Sequence, residues 1–186
     1  MTSSALRKLY LPVALISFCI PAVAQSTDTI TPVLPRVYQH WLDEDVRYII
    51  TKQERTQYTQ LKTDAERDAF VVDFWERRNP EPGSSHNAFK EEHYRRLAYA
   101  NEHFAAGIAG WQTDRGHVYI LYGPPDAKDI QDTVSPHFEV WEYKFIDGGG
   151  KDVELEFVDK CSCGKYKLVH GTVNFVPPGF DHLDEQ

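Results

Sequence analysis

The apolar residues of this chain change their spacing once, near Gly110, and that change restricts the fold to helices first and strands later. Upstream, Phe70, Val71, Phe74 and Trp75 fall at i, i+1, i+4 and i+5, which places them on one face of a helix. Phe89, His93, Leu97, Ala100 and Phe104 recur at i, i+4, i+8, i+11 and i+15, so residues 87–105 read as a long amphipathic helix ended by Gly107 and Gly110. Trp41, Val46, Ile49 and Ile50 form a shorter apolar segment ahead of both. Thr51-Lys52-Gln53-Glu54 and Thr63-Asp64-Ala65-Glu66 each have capping-box form, in which Thr and Glu side chains satisfy exposed amides at a helix start. Pro80 disfavours helical geometry in Asn79, so the helix opened at Thr63 ends there and residues 80–85 make a loop.

Downstream of Gly110 the pattern is that of strands. Val118 to Tyr122 (VYILY) is apolar on both faces, which predicts an interior strand broken by Gly123-Pro124-Pro125-Asp126. Phe138 to Phe145 and Val153 to Val158 predict two more, joined by the hairpin signal Asp147-Gly148-Gly149-Gly150. In the second of these, Val153, Leu155 and Phe157 alternate with Glu154 and Glu156, one face buried and one wet. Residues 166–169 and 172–176 are weaker strands. The expected fold is α+β, with N-terminal helices packed on one face of a mostly antiparallel sheet of four to five strands.

The first 24 residues are expected to leave. Arg7 and Lys8 precede the apolar run Leu9 to Val23, and Ala22-Val23-Ala24 has the small-x-small form that signal peptidase reads. The run is shorter than a bilayer-spanning helix and holds Pro12 and Pro21, so a signal peptide with cleavage after Ala24 is the expectation, and a periplasmic or secreted location follows. Residues 25–36 read as an extended leader, 37–176 as one domain and 177–186 as a tail, with no membrane span left after cleavage. Cleavage removes two cations and no acid, taking the net charge from −8 to −10. A chain so acidic lacks the clustered Lys and Arg that nucleic acid or anionic lipid requires. Of the three cysteines, Cys19 leaves with the signal. Cys161 and Cys163 remain, one residue apart, as a locally paired or free thiol turn. A metal site would need a second ligand pair that the sequence lacks, so no metal and no cofactor is expected.

The stretch Gly110-Trp111-Gln112-Thr113-Asp114, followed by Arg115-Gly116-His117-Val118-Tyr119-Ile120-Leu121-Tyr122-Gly123-Pro124-Pro125-Asp126, resembles the signature of the GWxTD domain family of exported bacterial proteins. The resemblance runs upstream through Phe74-Trp75, Arg78, Pro80, Pro82 and Glu91 to Asn101, and downstream through Trp141, Tyr143 and Glu154 to Asp159, covering about residues 42 to 170. It departs from the family pattern at Cys161-Ser162-Cys163 and in its brief C-terminal tail. It implies export and a shared fold, and it implies no activity.

The motif admits two readings from its own chemistry. In the structural one, Gly110 allows close backbone approach, Thr113 and Asp114 fold their oxygens onto nearby amides, and Trp111 plugs the corner between helix and strand. In the functional one, Trp111 is a stacking platform for a sugar or peptide, with Thr113, Asp114 and Arg115 as polar grips and Tyr122 and Asp126 beside them. The polar stretch Lys128 to His137 is the expected variable binding loop. An acid–base constellation would draw on Glu91, Glu92 and His93 with Asp114 or Asp126 as the second carboxylate. Against it, His93 lies on the apolar stripe, and Glu91–Arg95 and Glu92–Arg96 have ion-pair spacing. No nucleophile elbow, phosphate loop or helical metal pair is present. The expectation is therefore a binding or assembly module of the cell envelope with a protein or glycan partner, and an envelope-polymer hydrolase is the alternative.

Overall fold

Both capping boxes close and set the first two full helices. The computed structural model describes residues 34–172 and 175–180; the expected signal segment 1–24, the leader through residue 33, residues 173–174 and the tail from 181 lie outside the described residues. Helix α1 (Arg36–His40) passes into a wider π-type turn over Trp41–Asp45. In α2 (Lys52–Gln60) the Glu54 amide donates to Thr51 Oγ1 at 3.1 Å and the Thr51 amide donates to Glu54 Oε2 at 2.9 Å. Thr63 and Glu66 repeat this reciprocal pair at the start of α3 (Asp64–Glu76). Helix α4 (Ala88–His103) starts from Asn87, whose side chain accepts from the Lys90 amide.

After α4 the chain makes a tight 3₁₀ turn, Gly110–Gln112, and then a fifth helix, α5 (Asp114–Tyr122). The interior strand expected at Val118 to Tyr122 is therefore a helix. An apolar run of this length fits a helix buried on most sides as well as a buried strand, and periodicity does not separate them. Thr113 decides it locally: its Oγ1 accepts from the Gly116 amide at 3.0 Å, the N-cap bond that starts a helix. Gly123, at φ +83°, then ends it.

The sheet comes afterwards, as a meander of β1 (Ala127–Gln131), β2 (His137–Ile146), β3 (Gly150–Asp159) and β4 (Lys167–Gly171), each antiparallel to the next. The expected loop at Lys128 to His137 is therefore shorter than its sequence suggested, because Ala127–Gln131 pairs with Phe138–Glu142. Among the described residues of 172–176 no strand forms. The β2–β3 register sets Trp141 opposite Leu155 and Tyr143 opposite Val153, so the alternating apolar residues of both strands share one buried face. Helices precede and cover an antiparallel four-stranded sheet, and the fold is α+β as expected.

The apolar interior has two parts. Trp111, Val118, Tyr119 and Ile120 from the corner and α5 meet Trp141, Leu155, Phe157 and Leu168 of the sheet. Trp41, Leu42, Val46, Tyr58, Phe74 and Trp75 form a second cluster among the first helices. Arg78 clasps that second cluster. Its guanidinium lies 3.7 Å from the Phe74 ring centroid, donates to Ile49 O, and pairs with Glu54 at 2.8 Å.

Candidate functional site

The corner between α4 and α5 is built on two glycines. A Cβ at Gly110 would overlap the Ala100 carbonyl of α4, and one at Gly116 would overlap the Gly110 carbonyl. No side chain fits at either place, so the backbones of α4, the 3₁₀ turn and α5 close on one another. Thr113 bridges them, donating from Oγ1 to Gly110 O at 2.7 Å while it caps α5. Trp111 is held by its backbone: its amide donates to Asn101 Oδ1 at 3.0 Å and its carbonyl accepts from Tyr48 Oη at 2.8 Å. Its ring is buried in the core. It is a plug and not an open stacking platform, because the apolar faces of the indole are already covered.

Asp114 does not cap its own turn. Its carboxylate reaches β4, accepting from the Leu168 amide at 2.9 Å and from Lys167 Nζ at 2.8 Å, and so fixes the corner to the sheet. Arg115 points the other way. It pairs with the buried Glu139 at 2.7 Å, lies 4.0 Å from the Tyr166 ring centroid and donates to Gly164 O. Tyr122 packs against Tyr143 and Phe175. Asp126 accepts from the Lys144 amide at 2.8 Å and lines a separate cavity at the β1–β3 end.

The acid–base candidates are dispersed. Glu92 is held by Arg95 and Arg96. Glu91 pairs with His86 at 2.8 Å instead of Arg95, and lines a cavity beside Trp75. His93 is buried, with Nε2 2.6 Å from Asp45 O; burial holds it below the ordinary imidazole value against the opposing pull of Asp45. None of these three lines the cavity that holds Asp114. Asp159, Cys161 and Cys163 place an oxygen and two sulfurs within 4.8 Å of one another, but the sulfurs are bonded to each other.

What the corner does open onto is a cleft of about 660 Å³. Gln112, Thr113, Asp114 and His117 form one wall, Arg47, Tyr48, Ile50, Lys52 and Arg55 the second, and Lys167 with Pro178, Gly179 and Phe180 the third. Four cations and one carboxylate therefore line a cavity in a chain whose net charge is −8. Arg55 is paired with Asp43, and Lys167 with Asp114. Arg47 and Lys52 are exposed, and no carboxylate lies within ion-pair distance of either among the described residues. Arg47 lies 5.7 Å from the Trp111 ring centroid.

His117 is the centre of the cleft wall. Its ring is sandwiched between Tyr48, at 3.7 Å between centroids, and Phe180, at 4.7 Å. Gly179 passes so close that a Cβ there would lie 2.8 Å from His117 Cε1. Burial, with the Arg47 charge adding to it, pushes the imidazole down to about 4, so it is neutral in ordinary conditions. None of His117, Arg47 and Lys52 stands out in the sequence as a site residue. A signal existed for the first: His117 follows Thr113 by four, the same side of a helix, once Val118 to Tyr122 is read as helical.

A corner made by Gly110, Trp111, Thr113 and Asp114 is a specific arrangement, and the family profile described as the GWxTD domain matches residues 27–173, most of the chain. The chain belongs to the GWxTD domain family. No curated protein and no solved structure matches it. In this GWxTD domain the motif's glycines, indole and threonine are spent on closing the corner, while Thr113, Asp114 and the helix they start also supply a cleft wall.

Proposed function

We propose that this GWxTD domain is a non-catalytic binding module of an exported protein, and that it grips an acidic segment of an envelope partner in the cleft beside the motif. Export rests on the sequence of residues 1–24. The single observation that carries the binding site is the charge of the cleft. Arg47 and Lys52 extend into it without carboxylate partners among the described residues, in a chain that is acidic elsewhere. Cations left unpaired in a concave site attract and orient a carboxylate, and a lining that also carries Tyr48, Ile50 and Phe180 accepts the apolar parts of a peptide. The cleft volume lies within the range of about 300–1,000 Å³ common to ligand sites. Among the described residues no helix is long and apolar enough to cross a membrane.

The hydrolase alternative gains nothing from the geometry, since Glu91, Glu92, His93 and Asp126 are apart from the cleft and Asp114 is tied to β4. The binding reading is tested by calorimetric titration with a glutamate-rich peptide and a lysine-rich one of equal length. Binding of the acidic peptide alone is expected, with loss of about tenfold or more in affinity for Arg47→Glu/Lys52→Glu. Equal binding of both peptides, or an unchanged affinity in the charge-reversed protein, overturns it.

A further inference from the structure

The loop after β3 carries chemistry that the cleft does not use. Cys161 and Cys163 are joined by a disulfide across the single residue Ser162, and all three are exposed. Ser162 lies at φ +52° and Gly164 at +82°, so the loop doubles back in the left-handed region at a residue that is not glycine. A bridge closing so short a loop removes the least freedom from the unfolded chain, and so adds the least to the fold.

The loop has a second organiser. The buried Asp159 carboxylate accepts from the Gly164 amide at 2.7 Å and the Cys161 amide at 3.3 Å. Burial alone works against its ionisation, but the amides of Gly164, Cys163 and Cys161 outweigh burial and hold the carboxyl below its ordinary value. Its Oδ1 lies 3.2 Å from Cys161 Sγ. The two sulfurs are thus chemically unlike: Cys161 sits against a carboxylate that accepts an S–H once the bond opens, while Cys163 has no such acceptor among the described residues. The Asp159 bonds to the loop do not depend on the disulfide, so the loop keeps an anchor in both redox states.

We propose that Cys161–Cys163 is a thiol–disulfide exchange centre that oxidises the dithiol of a partner polypeptide. A partner thiolate attacks Cys163 Sγ and forms a mixed disulfide. The Cys161–Cys163 bond breaks, and Cys161 leaves, takes up a proton and donates its S–H to Asp159. The partner's second thiolate then attacks its own sulfur in the mixed disulfide. The partner's disulfide closes, Cys163 departs as the thiolate, and two electrons have passed from the partner to the cysteine pair. Exposure favours this exchange, and attack at Cys163 keeps the incoming thiolate away from the Asp159 carboxylate beside Cys161.

The experiment uses the full chain with Cys19→Ser, so that every thiol released comes from the pair. The protein is equilibrated over reduced-to-oxidised glutathione ratios, quenched, alkylated and weighed, with circular dichroism on each sample. Half-reduction inside that series with an unchanged spectrum is expected, as is transfer of the disulfide to a reduced dithiol peptide. Cys161→Ser, which keeps Cys163, is expected to trap the mixed disulfide at least about tenfold better than Cys163→Ser, whose remaining thiol is held by Asp159. In the reduced protein, Asp159→Asn should speed Cys161 alkylation at neutral pH about tenfold, the equivalent of about one pKa unit. A pair that stays oxidised throughout the glutathione series, or that passes nothing to the peptide, overturns the proposal. Those two readings need no substitution in the loop, so they decide the matter even where Asp159→Asn does not fold.

Discussion

At the scale of single residues, Gly116 and His117 are neighbours with opposite demands. Gly116 is required by space alone, since any side chain there meets the Gly110 carbonyl. Gly116→Ala is expected to cost roughly 2–4 kcal/mol in urea unfolding, far above an ordinary helix Gly→Ala change, which is favourable. His117 is instead required to stay neutral. The folded protein resists its protonation until about 4, whereas the unfolded chain takes the proton near 6.5. Stability is therefore full above 6.5 and falls as the pH drops from 6.5 toward 4, by up to about 3 kcal/mol. An NMR titration of the His117 ring that finds its midpoint near the ordinary value would remove this account of the Tyr48–His117–Phe180 sandwich. His117→Phe, which keeps the ring stack and loses the proton site, should flatten that part of the stability profile. The sequence showed Gly110, Thr113 and Asp114 as a corner, but it could not show where Asp114 reaches. Its partners, the Leu168 amide and Lys167, lie more than fifty residues away.

Among the elements, α2, α3 and α4 were legible because their signals are local. The capping boxes at Thr51 and Thr63 and the apolar stripes need only neighbours within a few positions. The β2–β3 hairpin was legible for the same reason, through the alternation at Val153, Leu155 and Phe157 and the glycines between the strands. Helix α5 was not. Val118, Tyr119 and Ile120 are all buried, so no polar face revealed its period, and β-branched residues favoured a strand. What makes it helical is the Thr113 cap and the glycine crossing behind it. Between α2 and α3 the clasp of Glu54 by Arg78 and Arg77 makes its own prediction. Burial opposes ionisation of Glu54, yet the two guanidinium groups and the Thr51 amide hold it down at about 2, against 4.5 ordinarily. Its contribution is complete above 4.5 and is lost as the pH falls toward 2, a window below that of His117. Glu54→Gln should remove up to about 3 kcal/mol near neutrality and erase the lower limb of the acid-unfolding curve. Acid unfolding identical to wild type in that limb would mean that Arg78 is satisfied by Ile49 and Phe74 alone.

For the whole molecule, the arrangement of charge matters more than its sum. A net charge of −8 argues against general attraction for nucleic acid or anionic lipid, and it conceals a local reversal. Arg47 belongs to the segment before α2 and Lys52 opens α2, Gln112 to His117 form the corner, Lys167 belongs to β4 and Phe180 to the chain beyond the sheet. Only the fold brings these together, which is why the motif was visible in the sequence and its cleft was not. Recognition by such a cleft is expected to weaken as salt rises, since exposed cations act through a screened field. The most direct measurement is chemical-shift mapping of the isotope-labelled protein with a glutamate-rich peptide at low and high salt. Shifts concentrated at Arg47, Lys52, Thr113, His117 and Lys167 are expected, with the His117 midpoint moving upward as bound carboxylate offsets the Arg47 charge. Shifts that cluster on the outer face of the sheet instead, or a His117 midpoint that ignores the peptide, would contradict it.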